Sequence, residues 1–145
     1  MRIEVLLADY HPIFLKATKS FLAPFCHVVG TASDGPSVIS LAEKLRPSVI
    51  LLDVYLPQLS GLDACERLVK SVPQSKILFL TANEDIATAE EAIRRGAYGY
   101  VLKNFRSTEL LSAIQYVLAG RVYVSPRIIE NPTPACRPEE PACFV

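Results

Sequence analysis

Five apolar runs divide the chain, at residues 3–8, 26–32, 48–52, 76–80 and 98–102. Each is short and nearly uninterrupted, the pattern of a strand buried on both faces of a sheet. Between the runs, apolar residues recur every three to four positions instead. Phe14, Ala17 and Phe21 predict the inward side of a first helix that begins near Pro12 and ends by Pro24. A second helix opens at Ser33-Asp34-Gly35-Pro36 and turns Val38, Leu41, Ala42 and Leu45 inward until Pro47. The third starts at Ser60, with Asp63 three residues on as in a capping box, and carries Leu62, Cys65, Leu68 and Val69. A fourth, over 84–95, buries Ile86, Ala89 and Ile93 and stops at Gly96. Ser107 caps a fifth, which buries Leu110, Leu111, Ile114, Val117 and Leu118 and stops at Gly120. Strands and helices alternating at these spacings predict an α/β fold, a doubly wound five-stranded parallel sheet with helices on both faces.

The periodicity fades near residue 125. Residues 1–125 are therefore expected to form the domain, and 126–145, rich in proline, a flexible tail or linker remnant without an output domain. At 50% hydrophobic and 21% charged residues the composition is globular. Formal net charge is zero, so there is no basic excess to grip a phosphate backbone, and direct nucleic-acid binding by this chain is not expected. Charges of both signs in Met1-Arg2-Ile3-Glu4, and the want of any run of membrane-spanning length, set the cytoplasm as the expected address and leave no role for a membrane. Cys26, Cys65, Cys136 and Cys143 form no metal-ligand spacing with each other or with a histidine, which argues against a zinc site.

Chemistry gathers where the strands end. In an open α/β sheet ligands bind beyond the carboxyl ends of the strands. Asp9, Asp53, Thr81 and Lys103 follow the first, third, fourth and fifth runs there. A carboxylate, a hydroxyl and an ammonium converging at one edge suit phosphoryl transfer. Asp53 would attack a phosphoryl donor and become an acyl phosphate. A divalent cation held by carboxylates and a backbone carbonyl, Mg²⁺ by preference, would offset the charge, while Lys103 and Thr81 would each engage a phosphoryl oxygen.

LLADYHP, VILLDVYLPQLSGLDA, LFLTAN and AIRRGAYGYVLKNF, followed by an amphipathic helix, together resemble the receiver (CheY-like) domain of two-component response regulators over nearly all of residues 2–126. DYHP and Leu-Lys-Asn look most like the receivers that precede a LuxR-type helix-turn-helix domain, of the nitrate-response and nitrogen-fixation type. Thr81 follows Asp53 by 28 residues and Lys103 follows Thr81 by 22, the spacings of that subfamily. The resemblance implies that Asp53 is the phosphoacceptor, Asp9 part of the acidic pocket and the Tyr55 carbonyl a metal ligand. It implies a histidine kinase as donor and a switch pair, Thr81 and Tyr100, whose hydroxyl moves toward the phosphoryl group while the ring turns inward. That motion would repack the face made by the fourth helix, fifth strand and fifth helix, the expected homodimer surface, and regulate transcription through a separate DNA-binding domain. Such a protein is a signalling phosphoacceptor and not an enzyme beyond its own phosphorylation and dephosphorylation.

One position departs from the family. Its receivers usually place two adjacent acids after the first strand, and here the second is Tyr10, where the direct metal ligand is expected. A neutral phenol is a poor Mg²⁺ ligand, so metal affinity should fall and with it the rate of Asp53 phosphorylation. The competing reading is a pseudo-receiver that acts by protein–protein contact alone. An FMN carrier of the same fold would need a phosphate-cradling loop where Asp9 stands, and a haloacid-dehalogenase-type phosphatase a second acid at Tyr55. His11 invites a phosphohistidine or metal-ligand reading, but a single histidine at a helix start with no second ligand nearby reads as structural, and the Glu90-Glu91/Arg94-Arg95 run reads as a solvated helix face or a partner surface.

Overall fold

The computed structural model describes residues 2–103 and 107–130. In chain order the elements are β1 (Ile3–Ala8), α1 (Pro12–Leu22), β2 (Cys26–Ala32), α2 (Gly35–Leu45), β3 (Val49–Leu52), α3 (Gly61–Ser71), β4 (Lys76–Thr81), α4 (Ile86–Arg94), β5 (Gly99–Leu102), α5 (Ser107–Leu118), β6 (Tyr123–Val124) and α6 (Pro126–Glu130). The strands pair in parallel in the order β2-β1-β3-β4-β5-β6. Parallel pairing demands a crossover after each strand, and the helices supply it.

Alternate strand residues feed two cores. Leu6, Ile50, Leu52, Phe79 and Tyr100 face α2, α3 and α4, whose Val38, Ala42, Cys65, Leu68, Ile86 and Ala89 close one side. Val5, Leu7, Val49, Leu51, Leu78 and Val101 face α1 and α5 through Leu22, Leu110, Ile114 and Val117. The near-continuous apolar runs follow directly, since a strand covered on both faces has no solvent side to keep polar.

The expected doubly wound parallel sheet with helices on both faces is present, and three details differ. The sheet has six strands rather than five, because Tyr123–Val124 pairs with β5. Pro126–Glu130 is helical and Ile128, 2% exposed, belongs to the core, so ordered structure passes the boundary expected at 125. On α1 the inward stripe is Phe14, Leu15, Thr18, Phe21 and Leu22, while Ala17 is exposed. In addition, α4 begins two residues later than expected, capped by Asp85, whose carboxylate accepts from the Ala87 N–H. The cap assigned to the Ser107 side chain and the tail over 131–145 lie outside the described residues.

Hydrogen bonding carries the parallel ladder past the strand ends. Asp9 N–H donates to the Ala32 carbonyl at 3.0 Å, Asp53 N–H to Ala8 at 3.1 Å and Lys103 N–H to Thr81 at 2.8 Å. Asp9, Asp53, Thr81 and Lys103 thus stand along neighbouring strands at one edge, in fixed register. Behind Asp53 the chain folds back so tightly that a Cβ on Gly61 would lie 1.9 Å from the Asp53 carbonyl oxygen, which only glycine permits. The Gly61 N–H donates to the Val54 carbonyl at 2.8 Å and closes that loop.

Candidate phosphoacceptor site

Asp53 and Asp9 are both buried, at 2% and 5% exposure. Two carboxylates this close in a low-dielectric setting need a cation between them. Lys103 supplies it, with Nζ 2.8 Å from Asp53 Oδ2 and 2.9 Å from Asp9 Oδ2. The Phe14 ring lies beneath the same ammonium, 4.7 Å from centroid to Nζ. Burial by itself lowers the Lys103 pKa, but hydrogen bonds to Asp53 and Asp9 and the charges of both outweigh it, so the ammonium is held above its ordinary value.

His11 is part of the pocket, which corrects its reading as a purely structural residue. Its backbone N–H donates to Asp9 Oδ1 at 2.8 Å, and its ring Nδ1 lies 3.2 Å from that oxygen and 3.3 Å from Lys103 Nζ. Asp9, His11 and Asp53 each bring one ligand atom within 4.8 Å of the others. Tyr10 is 58% exposed, and its ring meets the His11 ring edge-on at 6.0 Å. The two carboxylates fit a hard divalent cation, because oxygen donors suit Mg²⁺.

A second set of contacts runs from Thr81. Its Oγ1 accepts from the Asn83 N–H at 3.3 Å. Asn83 in turn donates through Nδ2 to the Tyr55 hydroxyl at 2.6 Å, accepts through Oδ1 from the Asp85 N–H at 2.8 Å and accepts through its carbonyl from the Tyr100 hydroxyl at 2.8 Å. Tyr100 is fully buried with its ring inward. Burial raises its pKa, which keeps the phenol a donor. Among the described residues, Asp53 Oδ1, the oxygen Lys103 does not hold, takes a long contact from the Tyr55 N–H at 3.4 Å.

The structure therefore brings Asp9, Asp53 and Lys103 together, with Thr81 at the end of the adjacent strand, and connects Thr81 to Tyr100 through Asn83. Sequence reasoning passed over Asn83, and placed Phe14 in the core without seeing that its ring carries Lys103. The only signal for Asn83 is its position two residues beyond a strand-end threonine.

The chain matches the response regulator receiver domain family over residues 5–115. It is 39% identical over 126 residues to the nitrate/nitrite response regulator protein NarL of Escherichia coli K12, an alignment that covers 83% of this chain and 57% of NarL. The chain thus spans less than two thirds of that relative's length. Among solved structures, a LuxR-family two-component response regulator from Aurantimonas superposes with a TM-score of 0.84 at 30% identity, covering 90% of this chain and 94% of the other. The isolated receiver domain of RcsB from Salmonella enterica serovar Typhimurium, solved in the presence of the phosphomimetic BeF₃⁻, superposes with a TM-score of 0.80 at 25% identity, covering 88% and 96%.

Proposed function

The chain belongs to the response regulator receiver domains, and from that premise we propose that Asp53 accepts a phosphoryl group from the phosphohistidine of a histidine kinase. The observation that carries the reading is the buried Asp53 carboxylate held at a strand end by the Lys103 ammonium. Oδ1 of Asp53 attacks phosphorus as the P–N bond to the donor imidazole breaks, and that nitrogen leaves with the electron pair and takes up a proton. Lys103 moves from carboxylate to phosphoryl oxygen, and the Thr81 hydroxyl donates to another. The carboxylates of Asp9 and Asp53 and the Tyr55 carbonyl would hold Mg²⁺, which offsets charge on nucleophile and phosphoryl group.

Once Thr81 turns toward phosphate, its oxygen no longer faces the Asn83 N–H, and the bond from Tyr100 to the Asn83 carbonyl adjusts with it. The signal then leaves through α4, β5 and α5. The outer edge of β5 in that face is paired with β6. A homodimer formed there uses the outer sides of α4 and α5 together with β6 and α6. The output is transcriptional control through a DNA-binding domain outside this chain, in the cytoplasm. Among the described residues no helix is long and apolar enough to cross a membrane.

One observation favours the second reading, a pseudo-receiver working by contact alone. Tyr10, in the place of an acid, lies at the surface, and Lys103 already bridges both carboxylates. Incubation with Mg²⁺ and acetyl phosphate, followed by intact mass measurement, separates the two. A single phosphoryl adduct that vanishes in Asp53→Asn is expected. An unmodified mass, with acetyl phosphate and with a kinase donor alike, establishes the pseudo-receiver. Tyr10→Asp should label faster and bind Mg²⁺ more tightly; equal values would remove Tyr10 from the metal position.

A further inference from the structure

Three lone-pair donors surround one cation in this pocket. Lys103 Nζ lies 2.9 Å from Asp9 Oδ2, 2.8 Å from Asp53 Oδ2 and 3.3 Å from His11 Nδ1. With Nδ1 unprotonated, all three point electron density at the ammonium, which marks where a positive charge is stabilised. We propose that His11 Nδ1 is a metal ligand in this receiver and that, with Asp9 and Asp53, it gives the pocket a preference for a transition-metal dication over Mg²⁺. The inference builds on the cation site of the phosphoacceptor reading, but adds a ligand and changes the metal class.

The chemistry follows from the donor set. Mg²⁺ favours an all-oxygen octahedron and keeps its waters, so an imidazole adds little to its binding. Carboxylates with one imidazole suit Mn²⁺, Co²⁺ or Zn²⁺, with affinity rising from Mn²⁺ to Co²⁺. His11 takes the role because of where the chain puts it. Its backbone N–H is tied to Asp9 Oδ1, and the Tyr10 ring rests edge-on against the imidazole. The His11 side chain is 64% exposed, so Nδ1 reaches inward while the rest of the ring stays in solvent, open to a hydrated ion. Tyr10 surrenders the carboxylate expected beside Asp9, and the next residue offers nitrogen instead. Lys103 competes with the metal in the resting pocket and is displaced toward a phosphoryl oxygen when one is present.

The test uses the full chain with Cys136→Ser and Cys143→Ser, so that no tail thiol binds the probe. Co²⁺ is titrated in and its visible d–d absorption gives the affinity; Mg²⁺ affinity is read by competition. Co²⁺ should bind more tightly than Mg²⁺, His11→Ala should weaken Co²⁺ by roughly tenfold or more, and Mg²⁺ affinity should change less than Co²⁺ affinity. Lys103→Met should tighten Co²⁺ binding. His27→Ala, at an exposed position on β2, should leave the spectrum as it is. His11→Gln provides a second variant with a hydrogen-bonding side chain should the alanine variant unfold. Unchanged Co²⁺ affinity in both His11 variants overturns the proposal, as does equal competition by Mg²⁺. The readout needs no phosphoryl transfer: a chain that never labels on Asp53 but binds Co²⁺ through His11 rejects the phosphoacceptor reading and keeps this one.

Discussion

Lys103 carries one ammonium between two buried carboxylates, so it serves the fold as well as any chemistry. Removing one partner from such a cluster leaves uncompensated charge, and costs about 3 kcal/mol where the remainder stays buried. Lys103→Met should therefore lower unfolding stability by about that amount in urea titrations. Millimolar Mg²⁺ should restore part of it, because a divalent ion can replace the lost charge. Asp53→Asn in the same background should recover stability, since one of the two facing charges is gone. The pH dependence has a defined sign. With its folded pKa raised above 10.5, Lys103 contributes stability in full below that value, and the contribution is lost only as pH rises through the raised folded value. Neutral buffers will show no trend from it. Cys65 acts in the same direction: burial raises its thiol from 9.0 to about 12, so between those values the unfolded chain ionises it and the folded chain does not. Stability should fall with rising pH across that window, and Cys65→Ala should flatten the slope in alkaline denaturation series. Sequence reasoning reached Asp53, Asp9 and Lys103 because strand ends announce themselves in the apolar pattern. It weighed His11 as a ligand and set it aside as structural, because the decisive fact, an ammonium from residue 103 arriving beside it, is invisible in local spacing.

At the scale of elements, legibility followed the purity of the signal. The uniformly apolar β3 and the capped α2, where Asp34 accepts from the Ser37 N–H, could be read directly. On α1 the stripe includes Thr18, a polar residue buried at 5% exposure, and that single interruption shifted the inferred face onto Ala17. The two-residue β6 is too short to display a period, and Pro126 resembles the start of a tail although proline also suits the first turn of a helix. What orders this segment is tertiary. The Ser125 N–H donates to the Tyr100 carbonyl at 2.9 Å, and its Oγ accepts from Leu102 N–H at 3.1 Å and donates to Glu109 Oε2 at 3.0 Å. Val124 and Ile128 then join the core that contains Tyr100. Ile128→Ala should cost about 2–5 kcal/mol, the usual range for emptying a buried aliphatic site. A midpoint in denaturant unchanged from wild type would show that α6 does not belong to the folding unit.

Across the whole molecule, Asn83 links the pocket to the β5–β6 edge through side-chain and main-chain hydrogen bonds. Asn83 takes the Thr81 oxygen on its N–H, holds the α4 cap Asp85 through Oδ1, and receives the Tyr100 hydroxyl on its carbonyl. Tyr100 passes to β6 through its own carbonyl, which accepts from Ser125 N–H. A two-state rearrangement at Thr81 therefore has two hydrogen-bonded outlets, the α4 cap and the β5–β6 edge, and a ligand shifts the equilibrium only by its preference for one arrangement. Binding of BeF₃⁻ with a divalent metal, followed by amide hydrogen exchange, should change protection at Asn83, in the first turn of α4 and at Ser125. Protection across the β1–β2 pairing, on the far side of the sheet, should hold. Asn83→Ala removes the Oδ1 acceptor and the Nδ2 donor but keeps the backbone carbonyl. It should loosen the α4 cap and abolish the α4 response, while the change at Ser125, which travels through that carbonyl, persists in weaker form. Loss of both responses in Asn83→Ala would mean that the side chain, rather than the main chain, carries the coupling to β6. Changes confined to residues 53–61 would mean that the pocket and the β5–β6 edge are not coupled.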